Sequence, residues 1–141
     1  MIKNEHQYKV TKNKLKDLEQ GLVKLLTDKD ALRPRQFSSQ KNSLEMMIDR
    51  LKKEIEEYDV LKQQKASITI SSIQELPIAL IKARIAMGMT QKELAEKMGV
   101  KEQQVQRDEA NQYSSAGFNR ISKVAEVLNI QMKETNILLN Y

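Results

Sequence analysis

Lys101, Glu102, Gln103, Gln106 and Arg107 bring two cations, a carboxylate and two primary amides together in one short stretch. At helical spacing they lie away from Val105, the apolar residue in their midst. A side-chain amide donates and accepts at once, which suits the adenine edge. A guanidinium fork suits the guanine edge, and a carboxylate can accept from the cytosine amine. A helix face rich in Gln, Lys and Glu is most often only a solvated face. Its setting decides whether these side chains can be aimed at anything.

That setting is TQKELAEKMGVKEQQVQRDEA, Thr90 to Ala110. Thr90 can cap a first helix, and Glu93 three residues on completes a capping box. Leu94 and Met98 share a face, and Ala95 is small where two helices would approach. Gly99 can take the positive φ that ends the helix. Val100 anchors the turn, and Val105 points a second helix back at the first. Together these features predict two short helices joined by a tight turn, a helix-turn-helix. In that motif the second helix enters the major groove and its outward residues meet base edges. Those residues are Lys101, Glu102, Gln103, Gln106 and Arg107, with Gln104 lateral. Gln91 starts the preceding helix, where an anion is favoured. Lys92, Asn111, Gln112 and Tyr113 are further candidates for phosphate contact.

Composition narrows the remaining chemistry. There is no Cys, and the one His, His6, lies near the start of the chain, so a His/Cys metal site cannot be assembled. Glycine-rich phosphate loops are absent and the carboxylates are scattered, so neither an enzyme nor a cofactor is expected. No apolar run reaches membrane-spanning length, and no apolar segment follows the basic N-terminus, which reads as cytoplasmic. The net charge is +5, but residues 1–70 hold 15 Lys and Arg against 11 Asp and Glu, whereas residues 71–141 hold 9 against 8. Nonspecific DNA affinity should therefore be modest, because it scales with phosphates neutralised.

Three segments organise the chain. In residues 1–65, Tyr8, Thr11, Leu15, Leu18, Leu22 and Leu25 follow a 3,4 spacing along one helix, from about Lys3 to Thr27. Arg33-Pro34-Arg35 interrupts it. A second helix is expected from Ser38 or Ser39 to about Lys62, with Leu44, Met47 or Ile48, Leu51, Ile55 and Tyr58 inward. The pair reads as an antiparallel helical hairpin whose stripe is as narrow as a coiled coil's. Met46 and Met47 are expected to pack within it. Tyr8 and Tyr58 fit packing better than base stacking.

Residues 66–72 (ASITISS) read as a linker or a short strand. Residues 73–141 read as the helix-turn-helix domain. Ser72 with Glu75 suggests a capping box, and Pro77 fits a first helical turn. A helix should end near Met87-Gly88, and another should run from about Ala116 to Leu128 with Ile121, Val124, Ala125 and Leu128 inward. Lys133 to Tyr141 would form a short closing helix or an arm. The fold class is all-α: a hairpin followed by a four- or five-helix domain.

ALIKARIAMGMTQKELAEKMGVKEQQVQRDE with ISKVAEVLNI resembles the Cro/CI-type, or Xre-type, helix-turn-helix family of bacterial and phage repressors. The resemblance covers about Leu76 to Ile130. It implies a lambda-repressor-like domain that acts as a dimer on double-stranded DNA. It also places Glu102, Gln103 and Arg107 at base-reading positions and Gln91 at a phosphate-binding one. One residue departs from the pattern. Between Arg107 and Glu109 the family carries an apolar or aromatic residue, whereas this chain has Asp108 on the inward side. A carboxylate there is costly unless it is paired or the helix end is displaced; the third account is a domain that has weakened its DNA role. The phrase NEHQYKVTKNKLKDLEQGL, followed by a second helix and this domain, also resembles small regulators found as antitoxins.

Two functions follow as expectations. One is a homodimeric, sequence-specific transcriptional repressor, with an antitoxin that binds a toxin protein as its extended form. The other is an interaction module whose hairpin binds a partner and whose helix-turn-helix no longer reads DNA.

Overall fold

The computed structural model describes residues 1–63 and 67–140, with backbone only at Lys29. The described residues form six α-helices and fall into two compact units, 1–66 and 67–141.

The first unit is a helical hairpin of α1 (Glu5–Thr27) and α2 (Pro34–Gln63). Asn4 caps α1, its side chain accepting from the Gln7 amide at 2.8 Å. The stripe Tyr8, Thr11, Leu15, Leu18, Leu22 and Leu25 is half-buried along its length, and no α1 residue is fully buried. Helix α2 buries Ile48, Ile55, Tyr58 and Leu61. Together with buried Ile2, these concentrate the core where the start of α1 meets the end of α2. Tyr8 and Tyr58 pack there with ring centroids 5.0 Å apart. The Tyr8 hydroxyl donates to Asp59 at 2.8 Å, and the Tyr58 hydroxyl donates to Glu5 at 3.3 Å. Lys62 also bonds Glu5 and holds its carboxyl below the usual range.

Helix α2 begins at Pro34, earlier than the Ser38 or Ser39 that the sequence suggested. Proline in a first turn gives up only an amide that has no helical partner there, so the residue read as an interruption is the start of the helix. Ile48, not Met47, is the inward residue. Met46 and Met47 are exposed at 74% and 43%, so they do not pack within the hairpin as expected.

The second unit contains α3 (Leu76–Ala86), α4 (Gln91–Met98), α5 (Glu102–Ala110) and α6 (Phe118–Val127). Its apolar core is Leu80, Ile81, Ile85, Leu94, Ala95, Val105, Val124 and Leu128, closed by Tyr113. The capping box at α4 is present in both directions. The Glu93 amide donates to Thr90 Oγ1 at 3.0 Å, and the Thr90 amide donates to Glu93 Oε2 at 2.7 Å. Gly99 ends α4 at φ 69° and ψ 30°. The Val100 amide then donates back to the Ala95 carbonyl at 3.0 Å, which fixes the turn through the backbone while the Val100 side chain stays 38% exposed.

One local expectation is corrected, and two that were left open lose one of their alternatives. Ser72 makes no side-chain cap; Glu75 instead accepts from the Ser71 amide at 2.7 Å, and residues 73–75 form a single 3-10 turn ahead of α3. Residues 67–72 contain no strand, and Ala66 lies outside the described residues. No helix forms between Lys133 and Asn140, where Ile137, Leu138 and Leu139 are exposed.

Candidate nucleic-acid interface

The outward face of α5 depends on how its inward face is held. Val105, Asp108 and Glu109 are all buried, while Lys101, Glu102, Gln103, Gln106 and Arg107 are all exposed. A helix of this composition has only one apolar residue, Val105, in its middle. Charge pairing supplies the rest of its anchorage.

Glu109 is completely buried and receives the fork of Arg84 from α3. Arg84 Nε lies 2.8 Å from one carboxylate oxygen, and Nη2 lies 2.6 Å from the other. Arg84 Nη1 donates to the Met89 carbonyl at 2.7 Å, which ties the α3–α4 turn into the same network. Gln91 Nε2, at the start of α4, adds a donor to Glu109 at 3.1 Å. One carboxylate on α5 therefore joins α3 and α4. Such a pair survives burial because bidentate geometry and additional donors offset desolvation.

Asp108 plays the matching part on the other flank. It accepts from Gln104 Nε2 at 2.9 Å and from Arg120 Nη1 of α6 at 3.1 and 3.3 Å. The local salt bridge expected of this carboxylate is present. Helix α5 continues through Ala110, so its end is not displaced at Asp108.

The loop after α5 turns sharply. Gln112 and Tyr113 both take positive φ, 54° and 58°. The Tyr113 amide donates to the Asp108 carbonyl at 2.6 Å, and its ring is buried. Burial first, then the Glu109 and Asp108 charges, push its phenol well above the usual tyrosine range. Tyr113 is thus a core residue and not the phosphate contact its loop position suggested. Asn111 is half-buried and donates to Ser115 Oγ at 3.2 Å, while Gln112 remains exposed.

The expected site residues divide accordingly. Lys101, Glu102, Gln103, Gln106 and Arg107 come together on one exposed face, where Gln106 Nε2 donates to Glu102 at 3.2 Å. Lys92 is exposed at the start of α4. Gln91 is buried, its amide engaged by Glu109. The Arg84–Glu109 pair went unread in the sequence. Arg84 at a buried stripe position of α3 was the available signal, since an inward arginine requires a carboxylate partner.

Residues 80–134 match a helix-turn-helix family model. Over that stretch the second unit is similar to helix-turn-helix domains. The match runs from within α3 to beyond the end of α6 and does not include the hairpin. No curated protein and no solved structure matches the chain. Among the described residues, no helix is long and apolar enough to cross a membrane.

Proposed function

We propose that this protein is a sequence-specific transcriptional repressor that binds double-stranded DNA as a homodimer, with α5 as its recognition helix. The observation that carries this reading is the exposed polar face of α5, Lys101 to Arg107, fixed from behind by the buried Asp108 and Glu109 pairs. Rigid backing matters because base discrimination needs donors and acceptors held in register. Glu102, Gln103, Gln106 and Arg107 read bases, and Lys101 and Lys92 meet phosphate. Gln91 joins the start of α4 to α5. Two copies would occupy half-sites about 34 Å apart, one helical turn.

A random-duplex selection with the full chain at about 150 mM salt tests this reading. The expected product is an inverted repeat bound by two chains. Recovery of no enriched sequence overturns the assignment.

The exposed Val10, Val23, Met46, Met47 and Val60 of the hairpin favour a second, compatible reading. In it the hairpin binds a protein partner, and the chain serves as the antitoxin of a toxin it neutralises. Charged substitutions at Met46 and Val60 in the full chain should abolish the complex with the toxin while leaving DNA binding intact. A complex that survives them removes the hairpin from this role.

A further inference from the structure

We propose that Arg120 is a DNA-phosphate ligand on the α6 flank of the recognition helix, positioned by Asp108; this rests on the DNA-binding reading above. The ion pair is asymmetric. The Asp108 side chain is 5% exposed, whereas the Arg120 side chain is 41% exposed. The carboxylate therefore sits in the domain and the guanidinium at its surface.

The pair also uses little of the arginine. Both contacts to Asp108 come from Nη1. A guanidinium carries five donors in a rigid fork. Nε and Nη2 of Arg120 have no protein partner among the described residues, so an edge of the fork faces solvent.

Its location follows from the shared carboxylate. Asp108 Oδ1 accepts from both Arg120 and Gln104. Arg120 consequently lies against the side of α5 at Gln104. A helix seated in the major groove has a phosphate backbone along each side, and side chains flanking it set its register. Lys92 at the start of α4 and Arg120 in the first turn of α6 are both exposed cations. A phosphate oxygen would meet the Nε–Nη2 edge, with the Asp108 carboxylate behind the guanidinium and away from the DNA. Asp108 replaces the apolar residue of the family pattern, and in this chain it fixes an otherwise flexible arginine in a phosphate-binding pose.

The test is the salt dependence of binding, which counts phosphates and not folding quality. The full chain, its Arg120→Gln and Arg120→Lys variants and the double variant Asp108→Leu/Arg120→Leu would be titrated against the selected duplex and an unrelated duplex. The double variant removes the charge without leaving Asp108 buried and unpaired, and thermal melts would confirm that each protein is folded. Arg120→Gln and the double variant should each lower the slope of log K against log salt by about 0.9, the increment for one phosphate. Both should weaken binding to the two duplexes by the same factor, roughly tenfold, as expected for one charge-assisted hydrogen bond. Arg120→Lys should keep the slope. Unchanged slopes in the folded charge-removing variants, with the wild type binding normally, overturn the assignment of Arg120 alone. A wild-type chain that enriches no sequence overturns the DNA reading and this assignment with it.

Discussion

Arg84 and Glu109 form a buried bidentate pair, Nε to Oε2 at 2.8 Å and Nη2 to Oε1 at 2.6 Å, that joins α3 to α5. Neither side chain has access to bulk solvent, so removing one leaves an unmatched charge in the core. Glu109→Ala should therefore cost about 3–5 kcal/mol. The double substitution Arg84→Met/Glu109→Leu, which removes both charges, should recover most of that loss. Urea unfolding of the full chain, with hydrogen exchange across α3–α6 to isolate this unit, gives both values. A single variant as stable as the double would show that the pair is not the strut described.

Gly99 provides a cleaner test of backbone strain. Its φ of 69° lies in the left-handed region, and a Cβ built there meets nothing within 4 Å. Gly99→Ala should thus pay only the conformational penalty, about 1–2 kcal/mol. A loss well above this would mean that a side chain clashes in the turn, and no loss would mean that the turn relaxes.

Tyr113 makes stability fall at alkaline pH. Its phenol is raised in the folded state by burial and by Glu109 and Asp108. The unfolded chain releases this proton near pH 10, while the folded domain retains it. The stabilisation is complete below about pH 10 and is lost as pH climbs from there toward the folded-state value. Tyr113→Phe should flatten the decline in melting temperature above pH 10. An identical alkaline profile in the two proteins would contradict this role.

The helix-turn-helix was legible because its signals are local. The capping box at Thr90 and Glu93, the glycine at 99 and the spacing of Leu94, Ala95 and Val105 all act within one or two turns. The stripe of α1 was legible for the same reason, since periodicity alone selects its face. What escaped was non-local. Arg120 lies twelve residues from Asp108, and Arg84 lies 25 from Glu109, so no window on the sequence shows either pair. Tyr113 was misplaced because a polar loop suggests exposure, whereas two successive positive φ values fold its ring inward. Pro34 was misread because proline both breaks helices and starts them, and only the preceding turn decides which.

The proposed division of labour on the DNA surface can be separated by mutation. Arg107 is exposed on the outward face of α5, while Lys92 is exposed at the start of α4. A base contact and a phosphate contact fail differently. Arg107→Ala should cost about 1–3 kcal/mol on the selected duplex and relax preference at one base position. Lys92→Ala should weaken binding to selected and unrelated duplexes alike, with preference intact at every position. Repeating the sequence selection with each variant reads both outcomes from one experiment. If Arg107→Ala leaves every position as selective as before, the guanidinium does not touch a base edge, and the reading falls to Glu102, Gln103 and Gln106. If Lys92→Ala changes the selected sequence, the start of α4 reaches into the groove, and α5 is not alone in reading it.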